Sequence, residues 1–346
     1  KKVNLVGAVD QIDSKQIAER GNSNISRSLQ GMVPGLNITF SDGKPSRTPS
    51  INLRGTGSIG AGGSALVLIN GVEGDLNSVN PADVESVSVL KDASSAAIYG
   101  ARGAFGVILV TTKNATAGKT KINYNGSFSM HQRTVKTEDG IVSNGLQWTD
   151  GWYTAYLEGQ EAPPGGINNV FKYSTDWYNE LVRRDADPSL DKVRVNDKGE
   201  YEYFGNTNWL DIIYKDQNYS TEHNVSISGG NERARYYVSG RYYNQDGIYN
   251  AGDEKYTQYN IRSKGEIQIN KSLLLENNTD VMIFRSHQPM VMYDRQNITR
   301  QAQHQGYPVT MEKNPDGTWT EAAVYIGWAG FVEGTSWQKD NKLDVR

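Results

Sequence analysis

The chain reads as an α+β domain over residues 1–118, followed over 119–346 by antiparallel strands of the transmembrane β-barrel kind. Three observations predict this. Short strands and short helices alternate up to Gly118. Beyond it, apolar and polar residues alternate in runs of about ten residues, the length a tilted strand needs to cross a bilayer. The links between those strands are tight at one end and long at the other, as in outer-membrane barrels.

The first region is justified element by element. Val3–Val9 reads as a strand, and Ser14 as the N-cap of a helix over Lys15–Arg20 that Gly21 ends. Ile25–Met32 is a second short helix, stopped by Pro34-Gly35. Leu36–Phe40, Ser50–Arg54 and Ala65–Asn70 read as strands, and Val84–Leu90 alternates like one. Asp92 caps Ala93–Tyr99, with Gly100 at its C-terminal end. Gly106–Thr112, rich in β-branched residues, is the last strand.

In the second region, Lys121–Met130 places Ile122, Tyr124, Phe128 and Met130 opposite Lys121, Asn123, Asn125, Ser127 and Ser129. His223–Gly229, Arg235–Tyr243 and Tyr259–Ile269 alternate too, and Leu273–Arg285 is a weaker fifth strand. Lys121, Arg235, Arg241, Arg262, Lys264 and Glu266 lie on the polar faces. In a soluble sandwich that face meets outside water; in a barrel it meets a wet lumen. Alternation by itself leaves the choice open. Gly229–Arg233 and Asn270-Lys271 are tight turns, whereas about 133–220, Gln245–Lys255 and about 287–346 are long connections.

Composition narrows the classes. A net charge of −3 argues against a nucleic-acid binder. No run of 18 apolar residues exists to make a spanning helix, which leaves spanning strands open. Cysteine is absent, so disulfides and thiol chemistry are absent too. Tyrosine, 20 against 7 phenylalanines, suits positions with one wet and one apolar end. A tyrosine-rich soluble β protein fits the same counts.

No motif points to an enzyme. Gly55–Gly60 matches G-x-G-x-x-G after a strand, but a strand and not a helix follows, leaving no room for a dinucleotide-binding crossover. A soluble nucleotide-dependent enzyme rests on that motif alone. His131, His223, His287 and His304 lack metal-ligand spacing, so no metal and no cofactor are expected. The seven tryptophans, Trp148, Trp152, Trp177, Trp209, Trp319, Trp328 and Trp337, fall in the long connections and the tail. They form small loop cores or mark the membrane interface, or they stack on sugars or a partner.

Leu29-Gln-Gly-Met-Val-Pro-Gly-Leu36, Ile51-Asn-Leu-Arg-Gly-Thr-Gly-Ser58 and Leu68-Ile-Asn-Gly-Val-Glu-Gly-Asp75 are long ordered blocks, as is the run from Asn80 through Lys91-Asp-Ala to Thr112. Together they closely resemble the plug domain of TonB-dependent outer-membrane transporters of the SusC/RagA type. Tyr236–Ile248 is similar to an early barrel hairpin of that family. The resemblance implies a 22-stranded barrel in the bacterial outer membrane with the plug inside. It implies import of oligosaccharides or peptides, energised by TonB with ExbB and ExbD, and a SusD-like surface lipoprotein closing over the mouth. Outer-membrane lipid is the solvent of the barrel; nucleic acid is not a partner. A receptor for iron chelates or cobalamin is the alternative. The sequence is expected to be one part of a longer chain, because about five strands cannot close a barrel without leaving edges unpaired in lipid.

Two arginines carry over from the resemblance: Arg54 in Leu-Arg-Gly and Arg102 in Tyr-Gly-Ala-Arg-Gly. They are expected to lock the plug by pairing with barrel glutamates beyond Arg346. Substrate is expected on plug loops around Ser41, Asp42, Lys44, Arg47, Thr56, Ser58 and Ser64 and on long barrel loops.

Overall fold

The computed structural model describes residues 9–22, 24–40, 48–53, 64–91, 96–137, 140–157, 173–290 and 298–345. In the first region, β1 (Val9–Asp13), β6 (Val84–Leu90), β7 (Val107–Thr112), β4 (Leu66–Ile69) and β5 (Val72–Glu73) lie side by side in that order. β4 and β7 are parallel; the other neighbours are antiparallel. A second small sheet pairs β2 (Leu36–Thr39) with β3 (Ser50–Leu53).

α1 (Ser14–Glu19) and α2 (Ile25–Leu29) pack on the five-stranded sheet. The N-cap of α1 is Asp13, one residue earlier than expected. Its carboxylate accepts from the Gln16 amide while the Gln16 side chain accepts from the Asp13 amide, so two orphan donors are satisfied at once. Asn24 caps α2. Ile12, Ile17, Ile25, Leu29, Val84, Val87, Val89, Ile108 and Val110 form one dry core. The last strand begins at Val107 rather than Gly106, because Gly106 has φ +90° and a Cβ there would meet Leu53 Cδ1 at 2.5 Å. Residues 92–95, with the expected Asp92 cap, lie outside the described residues; a 3₁₀ segment, Ala97–Gly103, follows them with a kink at Gly100.

The second region is a six-stranded antiparallel sheet in the order β15, β14, β13, β12, β11, β8. The strands are β8 (Gly118–Gln132), β11 (Gln217–Gly230), β12 (Ala234–Asp246), β13 (Lys255–Asn270), β14 (Leu273–Met290) and β15 (Trp337–Val345). Each strand expected from the alternation is present, and each is longer than expected. β15 is an addition: the connection expected over 287–346 starts after Met290 and ends before Trp337. Trp337, Lys339, Asn341, Leu343 and Val345 share one parity in β15, so no clean apolar face signals it.

The two faces of this sheet are reversed relative to a soluble protein. Along β12, Tyr237, Ser239, Arg241 and Tyr243 are buried, while Tyr236, Val238 and Tyr242 are exposed. Along β13, Tyr256, Gln258, Asn260 and Arg262 are buried, while Ile261 is 56% exposed and Ile267 and Ile269 are open as well. Ile122, Tyr124, Phe128 and Met130 of β8 and Leu273 and Leu275 of β14 extend the apolar exterior. The α+β domain occupies the polar side.

The long connections are folded. They carry α3 (Gly145–Leu157), α4 (Thr175–Ala186), the hairpin β9 (Val193–Val195) with β10 (Tyr201–Tyr203), and α5 (Trp209–Ile213). α6 (Ile298–Gln305), α7 (Glu321–Ile326) and α8 (Trp328–Val332) follow β14. Trp209, Ile213, Tyr249, Ile298, Ala323, Trp328 and Phe331 form one core, which joins three successive connections into a single cap. A second core joins Trp177, Leu181 and Phe204 to Val309. Trp177, Trp209 and Trp328 are thus loop-core residues.

Candidate functional site

The α+β domain is seated on the sheet by a row of polar contacts. The contacts come from two stretches, Leu76–Asp83 and Thr112–Asn114; in the first, two 3₁₀ turns, Leu76–Ser78 and Pro81–Asp83, expose backbone carbonyls. Asp75 and Asn80 cap these turns through their side chains, fixing the carbonyl directions. Gln258 Nε2 then donates to the Asn77 carbonyl at 3.4 Å and Asn260 Nδ2 to the Ser78 carbonyl at 2.7 Å. Lys264 Nζ donates to the Thr112 carbonyl and, at 2.7 Å, to Asn114 Oδ1.

Asp83 is the centre of the seat. Its buried carboxylate accepts from the Tyr237 hydroxyl at 2.7 Å, the Ser239 hydroxyl at 2.8 Å and Asn80 Nδ2 at 3.2 Å. Among the described residues no arginine or lysine pairs with it. A buried carboxylate served by hydroxyls and an amide is satisfied by direction rather than by charge neutralisation. Such contacts hold a unique register, and they part without separating an ion pair in low dielectric.

The sheet balances its own buried charge. The Arg241 side chain, 1% exposed, makes a paired contact with Glu222 of the next strand at 2.9 and 3.1 Å. Arg262, 2% exposed, donates to Asp280 at 2.6 Å and to Asn278 at 3.1 Å. Cross-strand partners on one face explain why guanidinium groups tolerate burial here. Of the charged residues read onto the polar faces, Lys264 thus meets the α+β domain, Arg241 and Arg262 meet acids of neighbouring strands, Arg235 approaches Glu266 at 3.8 Å, and Lys121 is exposed.

Near the ends of the strands that carry the cap, a cavity of about 610 Å³ separates the α1–α2 turn from the sheet. Arg27 lines it from the α+β domain; Ser129, His131, Asn218, Glu222 and Gln245 line it from the sheet. Its rim is braced by Arg133, which donates to Asp211 at 2.8 Å and Asp216 at 2.6 Å. Burial alone would raise the Asp211 carboxyl; the hydrogen bond from the Thr137 hydroxyl and the Arg133 guanidinium outweigh it and hold the group below its ordinary range.

Of the expected site residues, Arg102 donates to Glu73 of β5 at 2.6 Å, and both side chains are largely exposed. Ser64 is exposed just ahead of β4. Arg54, Ser41, Asp42, Lys44, Arg47, Thr56, Ser58 and the Gly55–Gly60 motif lie outside the described residues. Sequence reasoning missed Asp83, Tyr237 and Asn260. The available signal was Asn80-Pro-Ala-Asp83, a turn sequence whose only carboxylate precedes a strand start.

Comparison with known proteins agrees with this arrangement. Residues 1–107 match the family model of the TonB-dependent receptor plug domain. The chain is 31% identical over 259 residues to the TonB-dependent receptor SusC of Bacteroides thetaiotaomicron, covering 72% of this chain and 22% of that protein. It is 30% identical over 280 residues to the TonB-dependent receptor P26 of Formosa agariphila, covering 79% of this chain and 24% of that protein. Among solved structures, the RagAB peptide importer in its closed-closed state superposes with a TM-score of 0.61 at 27% identity, over 82% of this chain and 31% of that one. The chain thus spans about a quarter of the length of the curated relatives it matches.

Proposed function

The chain belongs to the TonB-dependent receptors of the SusC/RagA type, and from that premise we propose that it supplies the plug, residues 1–118, and the first wall strands, from 119 onward, of a nutrient importer in the bacterial outer membrane. The imported material is an oligosaccharide or a peptide, and the partners are TonB with ExbB and ExbD and a SusD-like surface lipoprotein. The solved relative named as a peptide importer supports the peptide alternative. The observation that carries the reading is the reversed sheet: apolar side chains such as Ile261 and Phe128 face out, while polar ones hold a folded plug. A wall with a greasy exterior is stable only in lipid, and a plug held by hydroxyls and amides is held reversibly.

In this proposal the folded long connections stand on the extracellular side and the tight turns on the periplasmic side. Pull from TonB on the plug shears the Asp83 seat and opens a passage along the wall. Arg54 and Arg102 act as a lock on the plug. Arg102 is three-quarters exposed in its pair with Glu73, so it is free to exchange that partner for an acid of the wall. Substrate rests on plug loops including Ser41–Arg47 and Thr56–Ser64. The matched relatives are named as receptors or importers, in keeping with transport rather than covalent chemistry.

None of residues 1–346 is a cysteine, so a pair introduced here meets no competing thiol among them. Asp83→Cys with Ser239→Cys in the complete protein bridges plug to wall. Uptake of oligosaccharides or peptides by cells carrying it is expected to stop under oxidation and to return with reductant. Uptake that ignores the bridge rules out plug movement at this seat. Growth on limiting iron, in place of growth on a glycan or peptide, would favour the iron-chelate or cobalamin alternative.

A further inference from the structure

Two cations of the cavity between plug and wall, Arg27 and Lys215, make no ion pair among the described residues. Arg27 of α2 is half-buried, its guanidinium carbon 4.4 Å from the centre of the Phe40 ring. Among the described residues no carboxylate pairs with it, and none pairs with Lys215 on the wall side. The other charges of the lining are engaged: Glu222 by Arg241, and Asp216 by Arg133. Two lining residues also carry a buried polar atom with no partner, Asn218 Oδ1 and Arg133 Nη1. Asn218 itself is 7% exposed, and its amide nitrogen is already spent on the Asp246 carbonyl.

A guanidinium stacked on a ring is fixed in orientation, and its edge offers the planar donor pair that a carboxylate matches. Out of bulk water, an unpaired cation gains more from an arriving anion than it would on an open surface. The cavity volume falls in the range of about 300–1,000 Å³ found for ligand sites. We propose that this cavity receives a carboxylate of the imported oligomer. Arg27 binds it from the plug and Lys215 from the wall, and Asn218 Oδ1 accepts a hydroxyl or amide hydrogen of the same ligand. One cation rides on the plug and the other on the wall, so an anion shared between them links occupancy to plug position. The proposal rests on the import reading and names the chemical class of its cargo. The carboxylate comes from a uronate of an acidic oligosaccharide or from a peptide.

The test uses the complete protein in detergent and the rate at which phenylglyoxal modifies Arg27, read by mass spectrometry. Four probes are compared at saturating concentration: an oligogalacturonate, its carboxyl-reduced counterpart, an acidic hexapeptide, and the amidated neutral form of that peptide. At least one anionic probe is expected to slow modification several-fold while its neutral partner does not, and which pair responds identifies the source. In parallel, the protecting probe is expected to bind at least about tenfold more tightly than its neutral counterpart, as one charge-assisted contact implies; Arg27→Gln is expected to shrink that ratio, and Arg27→Gln with Lys215→Gln to erase it. An Arg27 rate that none of the four probes changes overturns the proposal, and so does equal protection within both pairs, a ratio that Arg27→Gln leaves unchanged or one that survives the double variant. Energised uptake by cells is a separate measurement. Its loss with protection intact would remove the import reading and leave the anion site.

Discussion

Plug and wall obey opposite burial rules within one chain. In the plug, Ile25, Leu29, Val87 and Ile108 are sealed from solvent, as water requires. In the wall, Arg241, Arg262, Asn260 and Gln258 are sealed, while Ile122, Phe128, Ile261 and Leu275 stand in the open. Identical backbone chemistry, strands joined by hydrogen-bonded ladders, thus serves two solvents. The difference teaches that an exposed leucine is informative only when its neighbours on the same face are also apolar and the opposite face is not. The interface between the regions must then be polar on both sides, and Asp83 with Tyr237 and Ser239 is its best-defined point.

The comparison can be broken at its strongest contact with the plug core. Leu29→Ala is expected to cost about 2–5 kcal/mol of plug stability, because a fully buried side chain leaves a cavity that its neighbours only partly fill. Hydrogen exchange of the complete protein should show faster plug amides and unchanged wall amides. Equal acceleration in β12 and β13 would mean that the two regions melt as one.

A charge on the open face of each region sharpens the contrast further. Val72 of the plug is 71% exposed and Ile261 of the wall 56%. In water the two sites are equivalent. Ile261→Arg is expected to cost about 2–4 kcal/mol when the complete protein folds into lipid vesicles, and Val72→Arg within about 0.5 kcal/mol. Equal, small effects in a urea titration would place Ile261 in water and end the membrane reading.

At the seat, Asp83→Ala strands the Tyr237 and Ser239 hydroxyls and Asn80, at about 1–3 kcal/mol for the groups left unpaired. Asp83→Asn keeps an acceptor and should lose less. Limited proteolysis of the plug reads both. Variants that resist protease like the parent would leave Lys264, Gln258 and Asn260 as the sufficient anchors.

Much of this was legible in the sequence, for reasons that show where the rest was hidden. The strands β8, β11, β12 and β13 announce themselves because each has one lipid-facing parity and one polar parity. β14 was weaker to read, since Leu273, Leu274 and Leu275 break the parity at its start. β15 was silent for the same reason. The cap helices begin at side-chain caps, Ser174, Asn208 and Thr320, but α5 and α7 are short, and all three pack into cores shared between connections distant in sequence. Asp83 reads locally as a turn residue; only the docking of a strand more than 150 positions later makes it a seat.

The smallest effect concerns the cap, where the plug rule holds again. Glu180 of α4, its side chain 15% exposed, accepts from Arg183 at 2.6 and 2.9 Å and from Arg184 at 2.7 Å. The Arg183 hydrogen bonds lower its pKa most; burial pushes the other way, and Arg184 adds to the lowering, so the value falls from 4.5 to about 2. A depressed carboxylate contributes stability that is complete above its unfolded value and is lost as pH falls through the folded one. The cap's share from Glu180 should therefore be present above pH 4.5 and vanish toward pH 2. Its size is on the order of 1 kcal/mol, because Arg183 lies mostly in solvent. The protection factors of the α4 amides, which divide out the intrinsic pH dependence of exchange, should fall between those limits in the parent and stay nearly flat in Glu180→Gln, while those of the β12 wall amides hold throughout. A fall of the same size in the variant would assign the acid sensitivity of the cap to carboxylates other than Glu180.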